Sequence, residues 1–288
     1  MGEGLPLFAQ PTGLDEALDL AAKYRPLVLA GGTDLMVGAR AELGPGPVLD
    51  ISRVAELKGI AFSADAITIG GGTTWSELVA ADLPCGFDGL KAAGLEVGSV
   101  QIQNRGTIAG NLCNASPAAD GVPPLLTLDA TLEMRSATGA RHMPLAEFIT
   151  GNRRTRLEPG ELVTAIQVPR RLANGRSSFL KLGSRRYLVI SIVSVGVLLI
   201  EGGGRVAEAR VAVGACSAVA VRLRALEQAL LGRALVPSLA DAVEPRHVAG
   251  LMPIDDVRGT AGYRRGAAQE LICDALRTCI EGRAGGMA

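Results

Sequence analysis

The chain has 288 residues, of which 48% are hydrophobic, so it is long enough to form two or three domains with substantial cores. Its 29 Lys and Arg residues balance 29 Asp and Glu residues, and aromatic residues make up only 3% of the chain. A neutral chain with few aromatic residues lacks the basic patches and stacking surfaces that nucleic-acid binding requires, which argues against a nucleic-acid partner.

The cysteines and histidines do not have the spacing of a metal site. The five cysteines form no C-x-x-C pair, and the only two histidines, His142 and His247, lie far from them in the sequence. We therefore predict no metal ligands in this chain. An odd cysteine count and the absence of a signal-peptide pattern at the N-terminus favour a cytoplasmic location. The most apolar run, Tyr187 to Ile200, is too short to span a bilayer as a helix, so we expect no membrane span and interpret the run as a buried strand.

The first elements in chain order form a small α/β unit, which we assign to residues 1–57. Thr12 is predicted to cap a helix, with Asp15 three residues further on. The apolar face of that helix consists of four residues at helical spacing: Leu14, Ala17, Leu18 and Ala21. A short apolar strand is expected between Pro26, which precedes it, and Gly31-Gly32, which break it, and a second short strand is expected at 47–52.

A second unit is assigned to residues 58–172. A strand at 67–70 meets a glycine triplet, after which Thr74 and Glu77 are spaced as the capping box of a helix. The segments "TLEMRS" and "RHMPL" are predicted to pair around the turn "ATGA". The segment "GELVTAIQVP" is a further strand, ended by Pro169.

A polar segment at 170–178 separates these units from a C-terminal α+β unit, assigned to residues 178–288. An antiparallel sheet is expected first, with a turn at Gly202-Gly203-Gly204 between two of its strands. Two helices follow, "AVRLRALEQALLG", which ends at Gly232, and "YRRGAAQELICDALRTCIEG".

Two segments rich in small side chains could bind a large anion. One is "LAGGTDL", and the other is "GTIAGNLCNASPAAD", whose single charge is Asp120. Glycine lets the backbone approach a ligand closely, and free backbone amides bind phosphate oxygens, so two converging loops could hold a diphosphate. The alternative is that each glycine pair only ends a strand. Neither segment is a Walker loop or a G-x-G-x-x-G fingerprint.

These two segments, in this order, resemble the FAD-binding medium subunits of the molybdenum hydroxylase family, which includes xanthine dehydrogenase and aerobic carbon monoxide dehydrogenase. The segments "TIGGGTTWSEL", "GELVTAIQVP" and "FLKLGSRR" extend the resemblance over essentially the whole chain. It implies an α+β fold: a two-lobed FAD-binding domain of the vanillyl-alcohol-oxidase-like (PCMH) type, followed by a smaller C-terminal domain of antiparallel sheet and helices. FAD is the implied cofactor.

The resemblance also implies which residues contact FAD, and it implies no catalytic side chain. The first phosphate loop would consist of Val28, Leu29, Ala30, Gly31, Gly32, Thr33, Asp34 and Leu35. The second would consist of Thr107, Ile108, Ala109, Gly110 and Asn111, with bare amides facing the diphosphate; many relatives have glycine at position 109. Val97, Asp120, Val163 and Lys181 match positions near the isoalloxazine ring.

Several of these residues have an alternative interpretation. Asp120 could only cap the following turn, and Lys181 could be a solvated strand residue. Cys113 is interpreted as a packed thiol and Trp75 as a core residue, while His142 and His247 are assigned no role.

The function that the resemblance implies is electron transfer. The chain would pass electrons from iron–sulfur clusters on a small partner subunit to an external acceptor, and it would not act on an organic substrate alone. Substrate would be oxidised on a large molybdopterin subunit, in an assembly that is a dimer of heterotrimers. The alternatives are a nucleotide-binding or assembly module without redox chemistry, and a free-standing flavin oxidase.

Overall fold

The computed structural model describes residues 8–38 and 46–282, which form an α+β fold with three larger sheets and one two-stranded sheet. Residues 1–7, on which the signal-peptide prediction rests, lie outside the described part, as do residues 39–45 of the first unit and residues 283–288 of the C-terminal unit.

The first sheet is parallel, with the strand order β1-β3-β2. Its elements are β1 (Phe8–Ala9), α1 (Leu14–Tyr24), β2 (Leu27–Leu29), α2 (Leu35–Gly38) and β3 (Val48–Asp50).

Helix α1 has the apolar face that the sequence predicts. Leu14, Ala17, Leu18 and Ala21 are all buried. The predicted Thr12 cap is wrong, because the N-cap residue is Gly13, which has no side chain that could accept a hydrogen bond from the first turn. The backbone amide of Leu14 donates instead to Glu56 Oε1, at 3.2 Å. Hydrogen bonds from the backbone amides of Glu56 itself and of Leu14 lower the pKa of Glu56. A distant carboxylate therefore replaces the local cap.

The second sheet is antiparallel, with the strand order β4-β5-β10-β6-β7. This part of the chain contains β4 (Ile60–Phe62), β5 (Ala66–Gly70), α3 (Trp75–Ala80), α4 (Asp88–Glu96), α5 (Val100–Gln103), α6 (Ile108–Asn114), α7 (Val122–Thr127), β6 (Thr131–Ser136), β7 (Gly139–Pro144), α8 (Leu145–Phe148), β8 (Ile149–Gly151), β9 (Arg154–Thr155) and β10 (Leu162–Pro169). The predicted hairpin of β6 and β7 is confirmed, and so is the capping box of Thr74 and Glu77 at the start of α3.

The third sheet is antiparallel, with the strand order β11-β12-β13-β14. Its strands and the helices that follow are β11 (Arg176–Leu182), β12 (Val193–Gly202), β13 (Arg205–Gly214), β14 (Val221–Arg222), α9 (Arg224–Leu230), α10 (Pro245–Val248) and α11 (Ala261–Glu281). The predicted turn at 202–204 joins β12 to β13, with Gly203 and Gly204 at positive φ.

The strand predicted to begin at Tyr187 begins only at Val193. Residues 183–192 form a loop instead, in which the Arg185 guanidinium donates to the Leu188 carbonyl oxygen and Leu188 itself has a φ of +52°. A residue in this left-handed region cannot continue a strand, so the apolar run is divided between a loop and β12.

The two faces of strand β12 pack into two different hydrophobic cores. Val193, Val195 and Val197 pack with α11 in the C-terminal core, whereas Leu198 belongs to the core around α7 and the second sheet. This alternation follows the two-residue period of a strand. Gly196 and Gly214 lie so close to Pro123 that an added Cβ atom would come within 2.9 Å of it. The C-terminal sheet is therefore packed directly against the start of α7.

Candidate functional site

The first phosphate loop (residues 28–35) leaves four consecutive backbone amides without an acceptor in the described part of the chain. Val28 and Leu29 belong to β2, and Leu35 begins α2. Between them, the amides of Gly31, Gly32, Thr33 and Asp34 donate to no described residue. Gly32 has a φ of +74°, in the region that favours glycine. A run of unpaired amides of this kind is suited to an anion such as phosphate.

The two phosphate loops converge, as the sequence predicts. A Cβ atom on Gly31 would lie 2.0 Å from the carbonyl oxygen of Arg105, which is impossible for any residue except glycine. A Cβ atom on Gly106 would lie 3.3 Å from Thr33 Oγ1. Because residue 31 is glycine, the first phosphate loop can contact Arg105 and Gly106, which directly precede the second phosphate loop.

The second phosphate loop (residues 107–111) differs from the prediction of bare amides. The amides of Ile108 and Ala109 donate to the carbonyl oxygens of Thr73 and Gly71, at 3.0 and 3.3 Å. Those of Gly110 and Asn111 donate to the side chain and the carbonyl of Thr107, both at 3.0 Å. The prediction is wrong for these four amides because α6 and its contact with residues 71–73 use them. The second loop does retain a buried oxygen without a partner among the described residues, Asn111 Oδ1.

Val163 and Ala109 meet beside the second loop. A Cβ atom on Gly71 would lie 2.3 Å from the Val163 carbonyl oxygen and 3.3 Å from the Ala109 Cβ atom. Both side chains are in the main core, and Val163 stands at an irregularity in the pairing of β10 with β6. The methyl group of Ala109 is thus accommodated in the core.

Asp120, Lys181 and Ser191 form a buried polar cluster where the C-terminal sheet meets the segment before α7. Lys181 Nζ donates to Asp120 Oδ2 at 2.7 Å, and Ser191 Oγ donates to Asp120 Oδ1 at 2.6 Å. Lys181 Nζ also donates to the carbonyl oxygen of Glu96, at 3.2 Å. Val97, the C-cap residue of α4, follows Glu96 directly, so the cluster brings Val97, Asp120 and Lys181 together.

The environment of the cluster resolves two alternatives that the sequence leaves open. Lys181 is not a solvated strand residue, since only 5% of its side chain is exposed. Asp120 does not cap α7, whose N-cap residue is Gly121 without a side-chain bond. Burial raises the pKa of Asp120, and the charge of Lys181 and the hydrogen bonds from Lys181 and Ser191 oppose that rise.

The structure also locates the other residues singled out in the sequence, which are Trp75, Cys113, His247 and His142. Trp75 is in the core, as predicted, and burial raises the pKa of Cys113 to about 12, which suits a packed and unreactive thiol. His247 Nδ1 accepts from the Glu244 amide at the start of α10, and burial lowers the pKa of this imidazole. The Nε2 atom of His142, which is exposed on β7, lies 3.6 Å from the Oε2 atom of Glu133 on β6.

Ser191 is the residue that the sequence analysis missed. It lies in the apolar run that was interpreted as strand, where its hydroxyl looks incidental. A serine in such a run gives only a weak signal, because the neighbouring Ser194 is equally buried and its hydroxyl has no partner among the described residues. In the described residues there is no group of three or more potential metal ligands and no helix long and apolar enough to cross a membrane.

Comparison with known proteins supports the class that the fold and the site define, a two-part flavoprotein. Residues 5–171 match the family "FAD binding domain in molybdopterin dehydrogenase", and residues 178–279 match "CO dehydrogenase flavoprotein C-terminal domain". The nicotinate dehydrogenase FAD-subunit of Eubacterium barkeri is 33% identical over 83% of each chain. The nicotine 6-hydroxylase medium subunit of Paenarthrobacter nicotinovorans is 30% identical over 95% of this chain and 96% of that one.

A solved structure of the same class extends the match to the fold. A chain of reconstituted CO dehydrogenase from Oligotropha carboxidovorans superposes with a TM-score of 0.88, at 26% identity, over 98% of this chain and 99% of that one. The chain therefore belongs to the FAD-binding family of the molybdopterin dehydrogenases. This membership confirms the family resemblance, the fold class and FAD as the cofactor.

Proposed function

We propose that this chain is the FAD-carrying electron-transfer subunit of a molybdenum-containing hydroxylase or dehydrogenase. It passes electrons from iron–sulfur clusters on a partner subunit to an external acceptor. The observation that carries this proposal is the set of four amides at Gly31–Asp34, which have no acceptor among the described residues. Because residue 31 is glycine, their loop can pack against Arg105 and Gly106, which directly precede the second loop. Bound FAD supplies the redox chemistry, since it can take up and release electrons.

The chain's own residues bind the cofactor and set its electrostatic surroundings. In the proposal, the first phosphate loop provides amide donors to the diphosphate, and the second provides close backbone contact and the unpaired oxygen of Asn111. Val97, Asp120, Val163 and Lys181 surround the flavin ring. A buried ammonium group beside the ring favours the negative charge that a flavin gains on reduction, and the Asp120 carboxylate moderates that effect.

The domain limits are part of the same proposal. Residues 1–57 and 58–172 form the two lobes that bind FAD, and residues 178–288 form the C-terminal domain, which provides Lys181. The hydrophobic cores support the boundary at 172–178, because the core around α11 contains only buried residues from 192–280, whereas the core around the second sheet contains residues from 67–173 and, in addition, Leu198 and Ala212.

The proposed partners are a small iron–sulfur subunit and a large molybdopterin subunit, in a dimer of heterotrimers. Relatives of this chain are named as medium subunits or medium chains, which supports a multi-subunit assembly. Exposed apolar side chains near the cluster, at Leu95, Tyr187 and Ile190, offer a contact surface. The five cysteines are all free thiols, which supports a cytoplasmic location.

The test is to purify the complex with its partner subunits and identify the flavin. We expect absorbance that bleaches on reduction and a heat-released cofactor that is FAD, because two converging loops suit a diphosphate. We also expect that the metal-free chain alone oxidises no heterocycle or aldehyde. Release of FMN from undegraded complex would contradict the two-loop site. Oxidation of an organic substrate by the lone chain would replace the proposal with a self-contained flavin oxidase.

A further inference from the structure

The Asp120 carboxylate is held from both sides by the C-terminal part of the chain. Lys181 donates to one oxygen at 2.7 Å and Ser191 to the other at 2.6 Å. Ser191 is 1% exposed, and its hydroxyl is the only neutral side-chain donor that Asp120 has among the described residues. A hydrogen bond from a hydroxyl to a carboxylate at this length is of the strong, charge-assisted kind.

A neighbouring serine shows that burial alone does not require such a bond. Ser194, three residues further on in β12, is also fully buried, but its Oγ atom has no partner among the described residues. Ser191 differs because the loop of residues 183–192 brings its hydroxyl to Asp120.

The backbone on the Asp120 side is already fixed by other contacts. Pro123 is packed against Gly196 and Gly214, and beyond α7 the Asp129 carboxylate accepts from Arg210 and Arg222, at 2.9 and 2.8 Å. The freedom that remains to Asp120 is rotation of its carboxylate about the side-chain bonds. The two donors on opposite oxygens remove that rotation.

We propose that Ser191 is a positioning residue of the flavin site, which fixes the Asp120 carboxylate on the side opposite Lys181. This inference rests on the proposed function, in which Asp120 and Lys181 lie beside the flavin ring. The hydrogen bond from the hydroxyl is stronger to an ionised carboxylate than to a protonated carboxyl group, so it favours the ionised form of Asp120. The carboxylate in turn offsets the charge of Lys181. Ser191 thereby influences the flavin without contacting it.

The experiment uses the co-purified complex with four variants of this chain: Ser191→Ala, Ser194→Ala, Asp120→Asn and the double variant Ser191→Ala/Asp120→Asn. The FAD dissociation constant and the flavin midpoint potential are measured across a range of pH. Ser191→Ala should raise the dissociation constant about threefold to tenfold, which is less than the roughly 10- to 150-fold expected if FAD itself lost a hydrogen bond to a charged group, because the lost bond is to Asp120. The variant should also raise the flavin midpoint potential, because a carboxylate that is protonated more readily offsets less of the Lys181 charge. For the same reason, the change in midpoint potential that follows protonation of Asp120 should occur at higher pH than in the wild type.

The control and the double variant separate positioning from a general structural effect. Ser194→Ala removes an equally buried hydroxyl that bonds no described residue, so both quantities should stay at wild-type values. In the Asp120→Asn background, Ser191→Ala should add no further change in potential, because its effect acts through the carboxylate. A wild-type potential in Ser191→Ala, or an equal shift in the Asp120→Asn background, would overturn the inference.

Failure of the proposed function would be recognised separately. A wild-type complex without flavin would overturn the FAD-subunit proposal itself. A complex that binds FAD but keeps its potential in Asp120→Asn would show that Asp120 lies away from the ring, and the role of Ser191 would be rejected with it.

Discussion

Gly32 holds the first phosphate loop in a conformation that other residues adopt only at a cost. Its φ of +74° is left-handed, and an added Cβ atom would lie 3.1 Å from a Leu29 methyl carbon. A side chain here would strain the loop rather than block the ligand directly. The loop could relieve that strain by rotating its backbone, which would move the amides of residues 31–34.

We therefore expect Gly32→Ala to weaken FAD binding. The left-handed conformation costs alanine about 1 kcal/mol, and rotation of the loop misaligns up to four donors. The FAD dissociation constant should rise at least tenfold, measured by flavin retention and titration. The matched control is Gly203→Ala, which has a similar φ of +61° but lies in the turn between β12 and β13 with open space around it. Equal flavin content in the two variants would show that the first loop does not bind the cofactor.

At the scale of elements, α7 connects two carboxylates that both bind the C-terminal sheet. Asp120 precedes the helix and bonds Lys181 and Ser191, whereas Asp129 follows it and bonds Arg210 and Arg222. Arg222 also donates to the Leu126 carbonyl oxygen, at 3.0 Å. The helix is thus held at both ends. Burial raises the pKa of Asp129, but the hydrogen bonds and charges of Arg210 and Arg222 outweigh burial, so the pKa is lowered overall.

Asp129→Asn should destabilise the chain, because Arg210 and Arg222 are buried and would lose a charged partner. We expect a loss on the order of 2 kcal/mol in the free energy of unfolding at pH 7, measured by urea denaturation. The folded-state pKa of Asp129 is lowered, so its contribution is present above the unfolded pKa of about 4 and is lost as the pH falls through the folded pKa. The difference between wild type and variant should therefore shrink below about pH 4.

The control for this prediction is Asp274→Asn, the same substitution in an exposed pair with Arg277. Exposed pairs contribute little, so the loss should stay below about 1 kcal/mol. A difference between wild type and Asp129→Asn that persists at acidic pH would mean that the stabilisation comes from packing rather than charge.

Local patterns predicted the elements whose causes are local. The stripe of α1, the Thr74–Glu77 capping box and the turn at 202–204 depend on residues within a few positions of one another. The prediction failed where distant partners decide the outcome. Glu56 replaces the Thr12 cap, and the carbonyl oxygens of Gly71 and Thr73 accept two of the amides of the second loop. The small side chains of the two phosphate loops indicated an anion site, whereas the assignment of Asp120 and Lys181 to the flavin ring came from the family resemblance, since no local pattern indicates that these two residues meet.

At the scale of the whole molecule, exposed apolar side chains are clustered near the polar cluster. Leu95 lies beside Glu96, whose carbonyl accepts from Lys181, and Tyr187 and Ile190 lie on the loop that ends at Ser191. Glu96 is also close enough to Arg186 for their charges to interact. This surface combines apolar residues with charges, as the core and rim of a protein interface do.

Tyr187→Lys should weaken assembly with the partner subunits, because it places a charge among side chains that the interface would bury. We expect loss of co-purifying iron and molybdenum, while the chain itself stays folded and retains its thermal transition. The control is Val236→Lys, which changes another exposed apolar residue of the C-terminal unit. Val236 lies neither beside Glu96 nor on the loop of residues 183–192. If Tyr187→Lys assembles as well as Val236→Lys, this surface is not the subunit contact.

The separation of Asp120 from its partners has a consequence for biosynthesis. Lys181 follows Asp120 by 61 residues, Ser191 follows it by 71, and Arg210 follows Asp129 by 81. At bacterial or eukaryotic synthesis rates of about 5–20 residues per second, each carboxylate leaves the ribosome roughly 3–16 seconds before these partners. During that interval both carboxylates at the ends of α7 remain in water, and the face of α7 that the C-terminal sheet covers is open. The second sheet is complete once β10 has been made, so the nascent chain can form both lobes before β13 exists, and the contact between them and the C-terminal sheet closes only after β13 has been made.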